Sequence, residues 1–199
     1  MSEYYLDIET YSPTRPIDFH KDPIISIAYQ QIDSKTGNIK SPLSILKSWE
    51  SSEQDILRQF YQTFNVNNRW SFIPIGCKLA DFDLIMLGTH WQKMGLSITT
   101  TSLFNHPYID IYPVLLLCNG GTFSGCSLQK FAGKQDSGDK IADWYIAKDY
   151  ATIESYIKDE AASFIKLYSF LVQRMPSVWE EYAKEQGIAT QKTRGVSNG

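Results

Sequence analysis

The sequence of 199 residues lacks the residue patterns of several common functional sites. Its three cysteines, Cys77, Cys118 and Cys126, are odd in number and widely spaced, which fits neither a disulfide framework nor a paired-thiolate zinc site. It contains no glycine-rich phosphate loop and no Ser-His-Asp ordering. No apolar run approaches the roughly 20 residues of a membrane span, and the first residues lack a signal-peptide pattern. We therefore expect a cytoplasmic protein without a membrane partner.

The chain also lacks an excess of positive charge. Its formal net charge of -3 argues against a protein that binds nucleic acid over its whole surface. A local basic rim around an acidic site is compatible with this net charge. Hydrophobic residues at 43% and aromatic residues at 14% are typical of a globular protein. The length favours one domain, which we place at residues 1–188, followed by a polar tail, 189–199, that we expect to be disordered.

Periodicity and turn signals give a coarse secondary structure. We predict strands over residues 4–8, 24–31, 39–49 and 71–75, and a short strand leading into a helix over 109–117. We predict helices over residues 53–65, 81–94, 127–132, 140–147, 151–175 and 178–186, with a polar loop over 97–106. Early strands followed by alternating strands and helices indicate an α/β domain whose mixed sheet begins with antiparallel strands and is flanked by helices.

The most informative feature is the pair Asp7 and Glu9 near the start of the chain. Residues two apart on a strand project from the same face, so two carboxylates would lie side by side. Like charges that close repel unless a cation lies between them, and hard divalent ions such as Mg²⁺ or Mn²⁺ prefer oxygen ligands. Because a single Asp-x-Glu triplet also arises by chance, further carboxylates are needed for a metal site.

Two later segments offer such carboxylates. Asp83 follows a predicted strand at the first turn of a helix, where it could serve a site at the strand ends or simply stabilise the helix N-terminus. On the helix predicted over 151–175, about 100° per residue places Glu160 beside the apolar stripe, with Tyr156 one turn before it on the same flank. Asp159 points to the opposite side, toward solvent.

These stretches, in this order, resemble the motifs of DEDD-type 3′-5′ exonucleases of the tyrosine subtype, in particular the stand-alone relatives of the family B DNA polymerase proofreading domain. Asp7-Ile8-Glu9-Thr10 matches the first motif, and residues 76–83 match the glycine, phenylalanine and aspartate of the second. Residues 127–132 look like the serine-leucine helix that precedes the third motif, to which Tyr156 and Glu160 correspond. The match covers residues 4–173.

The resemblance implies a ribonuclease H-like fold and hydrolysis of phosphodiester bonds at the 3′ end of single-stranded DNA or RNA. It implies two ions, Mg²⁺ or Mn²⁺, which would activate water and stabilise the phosphoryl charge. Tyr156 would orient the attacking water, since with a pKa near 10 it is a poor general base. The ligands would be Asp7, which bridges both ions, Glu9, Asp83 and Glu160.

The sequence departs from the family pattern at two positions. Lys78 replaces an asparagine of the second motif, and Glu160 replaces the aspartate of the third. Glutamate keeps the charge but is one methylene longer, and Asp159 could substitute only if the helix turned by about one residue. A nucleic-acid-binding module with weakened catalysis is therefore the alternative function. A third possibility is an α/β domain whose acids are coincidental.

A single-stranded substrate would be held by aromatic faces and by contacts to phosphate. The residues predicted to bind nucleic acid are Thr10, Tyr11, Lys78 and Phe82, and Phe19 and His20 are further stacking candidates. For each aromatic residue, ordinary packing is an equally good interpretation. Asp110, in an apolar run, is expected to form structural hydrogen bonds, with a role beside the site as the alternative. His90 is expected to be a partly buried histidine without a catalytic role.

Overall fold

The computed structural model describes residues 3–64, 70–98, 100–134 and 138–188, and a five-stranded mixed sheet forms its centre. The strands are β1 (Glu3–Thr10), β2 (Ile24–Ile32), β3 (Ser44–Lys47), β4 (Ile73–Gly76) and β5 (Ile109–Asp110). Their order across the sheet is β3-β2-β1-β4-β5. β1 is antiparallel to β2 and parallel to β4, so the expected mixed α/β sheet with initial antiparallel strands is confirmed.

Seven α-helices accompany this sheet in the part of the chain that the structure describes. They are α1 (Glu53–Phe64), α2 (Asp83–Lys93), α3 (Thr100–Phe104), α4 (Tyr112–Cys118), α5 (Leu128–Ala132), α6 (Ile141–Ile146) and α7 (Tyr150–Glu185), with a short 3-10 turn at Gly138–Lys140 before α6. α1 begins immediately after Ser52, whose Oγ accepts a hydrogen bond from the Asp55 N–H at 3.1 Å and so caps the helix. α2 ends before Gly95, whose φ of +74° is the left-handed conformation of a helix C-terminus.

The two faces of β1 pack into two separate cores. Leu6 and Ile8 lie in the core shared with α1 and α2, whereas Tyr5 lies in the core that contains the buried stripe of α7. Because side chains alternate along a strand, Asp7 and Glu9 share the α7 face with Tyr5. The central strand thus carries its acidic pair toward the long helix.

The strand predicted over residues 39–49 and the loop predicted over 97–106 were wrong in extent. The strand predicted over residues 39–49 is limited to β3, and Ile39 forms only an isolated bridge with Ile32. Pro42 lies between these paired stretches and has no N–H to donate to a sheet. The loop predicted over 97–106 contains α3, which packs so closely on α2 that a Cβ at Gly88 would lie 2.7 Å from the Thr100 Cα.

The two helices predicted over 151–175 and 178–186 are a single helix, α7, with Pro176 inside it. Pro176 is exposed, so water can replace the one backbone hydrogen bond that its missing N–H removes. None of the helices described in the structure is both long and apolar enough to cross a bilayer. The predicted tail, 189–199, lies outside the described residues, and the domain division at residue 188 stays a prediction.

Candidate metal centre

The acidic pair lies on the central strand where its pairing becomes irregular. Asp7 pairs with Ala28 and Glu9 with Ser26 on β2, and the register shifts immediately afterwards, between Glu9 and Thr10. Strand alternation projects both carboxylates from the face that α7 covers. The strand therefore presents two acids side by side, as the sequence predicts.

α7 brings a third carboxylate to the same place. Glu160 and Tyr156 are buried, with 8% and 7% of their surfaces exposed, and they lie one helical turn apart. Asp159 is exposed, as its position opposite the apolar stripe predicts. The helix therefore contributes Glu160 to the cluster, and it does not turn by the one residue that Asp159 would need.

Asp7, Glu9 and Glu160 each place a carboxylate oxygen within 4.8 Å of the other two. Burial raises the pKa of Asp7 well above its ordinary value of 3.8, the Glu160 carboxylate raises it further, and the Lys134 ammonium acts in the opposite direction. Burial and then the Asp7 and Glu160 carboxylates likewise raise the pKa of Glu9. The neighbouring carboxylates thus disfavour the charged forms of Asp7 and Glu9, which a divalent cation between them would favour.

Asp83 is the fourth acid, and it lies beside this group rather than within it. It begins α2, only 3% of its surface is exposed, and hydrogen bonding from the main chain at Ile8 links it to β1. Burial raises the pKa of Asp83 well above its ordinary value, and the Asp7 carboxylate raises it further. Asp83 therefore shares an electrostatic environment with Asp7 although it comes from another element.

Two carboxylate oxygens at this site have no partner for their lone pairs. Within residues 3–64, 70–98, 100–134 and 138–188, no group donates a hydrogen bond to the buried atoms Asp7 Oδ2 and Asp83 Oδ1. A buried carboxylate oxygen without a donor is costly unless a cation balances it. Oxygen donors of this kind suit Mg²⁺ or Mn²⁺, so the residues present fit a divalent metal ion.

The overall architecture has counterparts among solved structures. It is similar to a family B DNA polymerase from the hyperthermophilic archaeon Pyrobaculum calidifontis, with a TM-score of 0.63 and 12% identity over 88% of this chain and 24% of the polymerase. It is also similar to E. coli exonuclease I, with a TM-score of 0.62 and 12% identity for a zinc-bound complex with single-stranded DNA, over 92% of this chain and 43% of that one. The fold is ribonuclease H-like.

A second structure of E. coli exonuclease I, in complex with a dT13 oligonucleotide, matches with a TM-score of 0.59 and 11% identity over 90% of this chain and 43% of that one. The chain thus spans less than half the length of the exonuclease I chains and about a quarter of the polymerase. Identities this low show the fold alone. No protein-family model matches the sequence, and no curated protein matches it.

In this ribonuclease H-like chain, Lys134 is the site residue that the sequence analysis missed. Its ammonium group donates hydrogen bonds to Glu160 Oε2 and to the Tyr156 hydroxyl, and it lies 4.2 Å from the centroid of the Tyr156 ring. The sequence shows only that a lysine follows the serine-leucine helix closely. Its segment has no periodicity, so the direction in which the side chain points could not be predicted.

Two cavities of about 200 Å³ each flank the acidic cluster and share Gly138 in their lining. The first is lined by Glu9 together with Thr10 and Phe82, two of the predicted nucleic-acid contacts. The second is lined by Glu160 together with Lys78. Each cavity is therefore bordered by one carboxylate of the cluster, so the cluster can be approached from two sides.

Among the other predicted contacts, Tyr11 packs its ring 5.3 Å from Tyr145 of α6. Phe19 and His20 line a neighbouring cavity, which shares Arg15 and Ile17 with the first one. The structure therefore places Phe19 and His20 farther along one approach to the cluster, and Tyr11 in a packing contact.

Asp110 forms the structural hydrogen bonds that the sequence predicts, whereas His90 is more deeply buried than expected. The Asp110 carboxylate accepts hydrogen bonds from the N–H groups of Lys78 at 2.9 Å, Ala80 at 3.2 Å and Tyr112 at 2.9 Å. It thereby holds the turn after β4, in which Lys78 has a left-handed φ of +67°. His90 is buried, with its Nδ1 2.8 Å from Glu53 Oε1, and it joins α2 to α1.

Proposed function

We propose that this protein is a metal-dependent 3′-5′ exonuclease that acts on single-stranded nucleic acid. The observation that carries the proposal is the convergence of Asp7, Glu9 and Glu160 within 4.8 Å, beside two buried carboxylate oxygens that receive no hydrogen bond from the described residues. The ribonuclease H-like fold supports it, since the similar structures include exonuclease I in complex with single-stranded DNA. The assignment to the DEDD tyrosine subtype and the cytoplasmic location belong to the proposal as well.

The ligands of the metal would be Asp7, Glu9 and Glu160, with Asp83 beside them. When bound, divalent ions there supply Lewis acidity, which lowers the pKa of water and neutralises charge on a phosphodiester. The fold itself would fix the positions of these ligands, because the four acids lie on the packed elements β1, α2 and α7. A phosphodiester that entered through either cavity would meet the same carboxylate edge.

Tyr156 would position the attacking water rather than remove its proton. Burial raises the pKa of Tyr156 well above its ordinary value of 10.0, and the carboxylates of Glu9 and Glu160 raise it further. The hydroxyl therefore keeps its proton at neutral pH and can act only through hydrogen bonds. Its contact with Lys134 and its place one turn before Glu160 hold it at the edge of the cluster.

The direct test uses single-stranded oligonucleotides labelled at the 5′ end and incubated with Mn²⁺ or Mg²⁺. A 3′-5′ exonuclease yields a ladder of progressively shorter labelled products, and a phosphorothioate at the 3′-terminal linkage slows its appearance. Asp7→Asn is expected to abolish the ladder. Glu181→Gln is the matched control, because it removes an exposed carboxylate about 30 Å farther along α7 than Glu160.

The alternative function is a nucleic-acid-binding module of the same fold. The observation that favours it is the hydrogen bond from Lys134 to Glu160, which neutralises a carboxylate that catalysis would use. In the same assay, retention of the oligonucleotide on the protein without shortening would support the module and contradict the exonuclease. Absence of both binding and shortening would contradict both functions.

A further inference from the structure

The ammonium group of Lys134 lies at the Glu160 edge of the acidic cluster. It contacts Glu160 Oε2 directly, and Glu160 is one of the three carboxylates that lie within 4.8 Å of one another. Only 9% of the Lys134 side chain is exposed, whereas lysine usually keeps its charged end in water. A buried ammonium at this place acts as a counter-ion for the carboxylates.

The local structure fixes the lysine in this orientation. α5 ends at Ala132, and the left-handed φ of +72° at Gly133 turns the chain away from the helix immediately before Lys134. The ammonium then has three partners on α7: the Glu160 carboxylate, the Tyr156 hydroxyl and the face of the Tyr156 ring. Such a combination of hydrogen bonds and ring contact holds the charge at one point.

The positive charge acts on the acids of β1 as well as on Glu160. Lys134 lowers the pKa of both Asp7 and Glu9, against the stronger effects of burial and of the neighbouring carboxylates. A divalent ion held by the same three carboxylates would therefore share its Glu160 ligand with an ammonium. Two cations around the same oxygens repel each other, and this repulsion is strong where water is excluded.

We propose that Lys134 takes the place of one of the two divalent ions that the resemblance implies, so that the cluster binds a single ion beside a fixed ammonium. This inference rests on the proposed metal-dependent function. The lysine would then supply the second positive charge for a bound phosphodiester from the protein itself. Removal of the ammonium would open that position to a second metal ion.

The test counts bound ions directly. Isothermal titration calorimetry with Mn²⁺, combined with electron paramagnetic resonance of the unbound ion, gives the number of ions per chain without any substrate. We expect one ion for the unmodified protein and for Lys134→Arg, which keeps the charge, and two ions for Lys134→Met. Lys130→Met is the matched control with one ion, because Lys130 is also on this segment but contacts Asn119 and Phe131.

Two ions on the unmodified protein, or an unchanged number in Lys134→Met, would overturn the inference while leaving the metal-dependent function in place. No bound ion in any variant would instead contradict the metal-dependent function itself. Circular dichroism verifies that Lys134→Met is folded. If that variant does not fold, the count on the unmodified protein still decides: one ion supports the inference and two overturn it.

Discussion

Glu160 and Asp159 are consecutive residues of α7, yet Glu160 is buried against the acidic pair of β1 and Asp159 is exposed to solvent. Because an α-helix rotates by about 100° per residue, the two side chains point in different directions and only Glu160 faces the cluster. A single helix thus provides a candidate ligand and its own control at adjacent positions.

Replacing these two acids by their amides should have opposite consequences. We expect Glu160→Gln to lower the rate of 3′-end shortening at least about 100-fold, because even residues that only support metal ligands contribute about 10- to 100-fold. Asp159→Asn should retain the rate of the unmodified protein. Initial rates on a 5′-labelled oligonucleotide measure both, and equal losses in the two variants would contradict the assignment of Glu160.

The proposed role of Tyr156 predicts a loss of rate without a change in the shape of the pH profile. Tyr156→Phe removes the hydroxyl that contacts Lys134, and the misplacement of water should slow hydrolysis about 10- to 100-fold. Because burial keeps this phenol protonated, no limb of the rate profile between pH 6 and pH 9 should belong to it. A limb that disappears in Tyr156→Phe would show that the tyrosine acts as a base.

Asp83 should make the metal-free protein less stable as the pH rises. Its folded pKa is raised above the ordinary 3.8, so the folded state binds the proton more tightly, and stability falls from about pH 4 upward through the folded pKa. In EDTA, the melting temperature of Asp83→Asn minus that of the unmodified protein should increase from pH 5 to pH 8.

The control for this experiment is Asp33→Asn. Its salt bridge to Lys40 lowers the pKa of Asp33 to about 2, so Asp33 is ionised in both the folded and unfolded states above pH 5. The melting difference for Asp33→Asn should therefore be constant over the same interval. A flat difference for Asp83→Asn as well would contradict the raised pKa.

Gly76, at the end of β4, should tolerate no side chain. A Cβ there would lie 2.8 Å from Leu79 Cδ2 and 2.9 Å from the Leu6 carbonyl oxygen of β1. We expect Gly76→Ala to lower the free energy of unfolding by about 2–3 kcal/mol through overpacking, measured by urea denaturation. Gly95→Ala, which meets open space but adopts a left-handed φ, should cost about 1 kcal/mol. The reverse order would contradict the packing argument.

Local periodicity explains why part of the site could be predicted. Alternation on β1 is sufficient to place Asp7 and Glu9 on one face, and helical rotation is sufficient to bury Glu160 and expose Asp159. Both properties depend only on residues within one element. The fold class could be predicted for the same reason, since these periodicities indicate the order of strands and helices along the chain.

The remaining features depend on contacts between distant parts of the chain. Lys134 meets partners 22 and 26 residues away, and its own short segment gives no sign of which way it faces. α3 has a single buried residue, Leu103, so its helical form rests on packing against Gly88 rather than on a periodic pattern. The continuity of α7 through Pro176 depends on the exposure of that proline, which no local pattern reveals.

The acidic pair lies on the strand that joins the antiparallel and parallel halves of the sheet. A backbone change that displaced Asp7 and Glu9 would therefore also uncouple these two halves and unfold the domain. A substitution that changes only the side chain of Asp7 or Glu9, by contrast, leaves the backbone of β1 in place. In descendants of this chain, the proposed nuclease chemistry can accordingly disappear by single replacements, while the cavities around the acidic cluster persist in a folded scaffold open to new ligands.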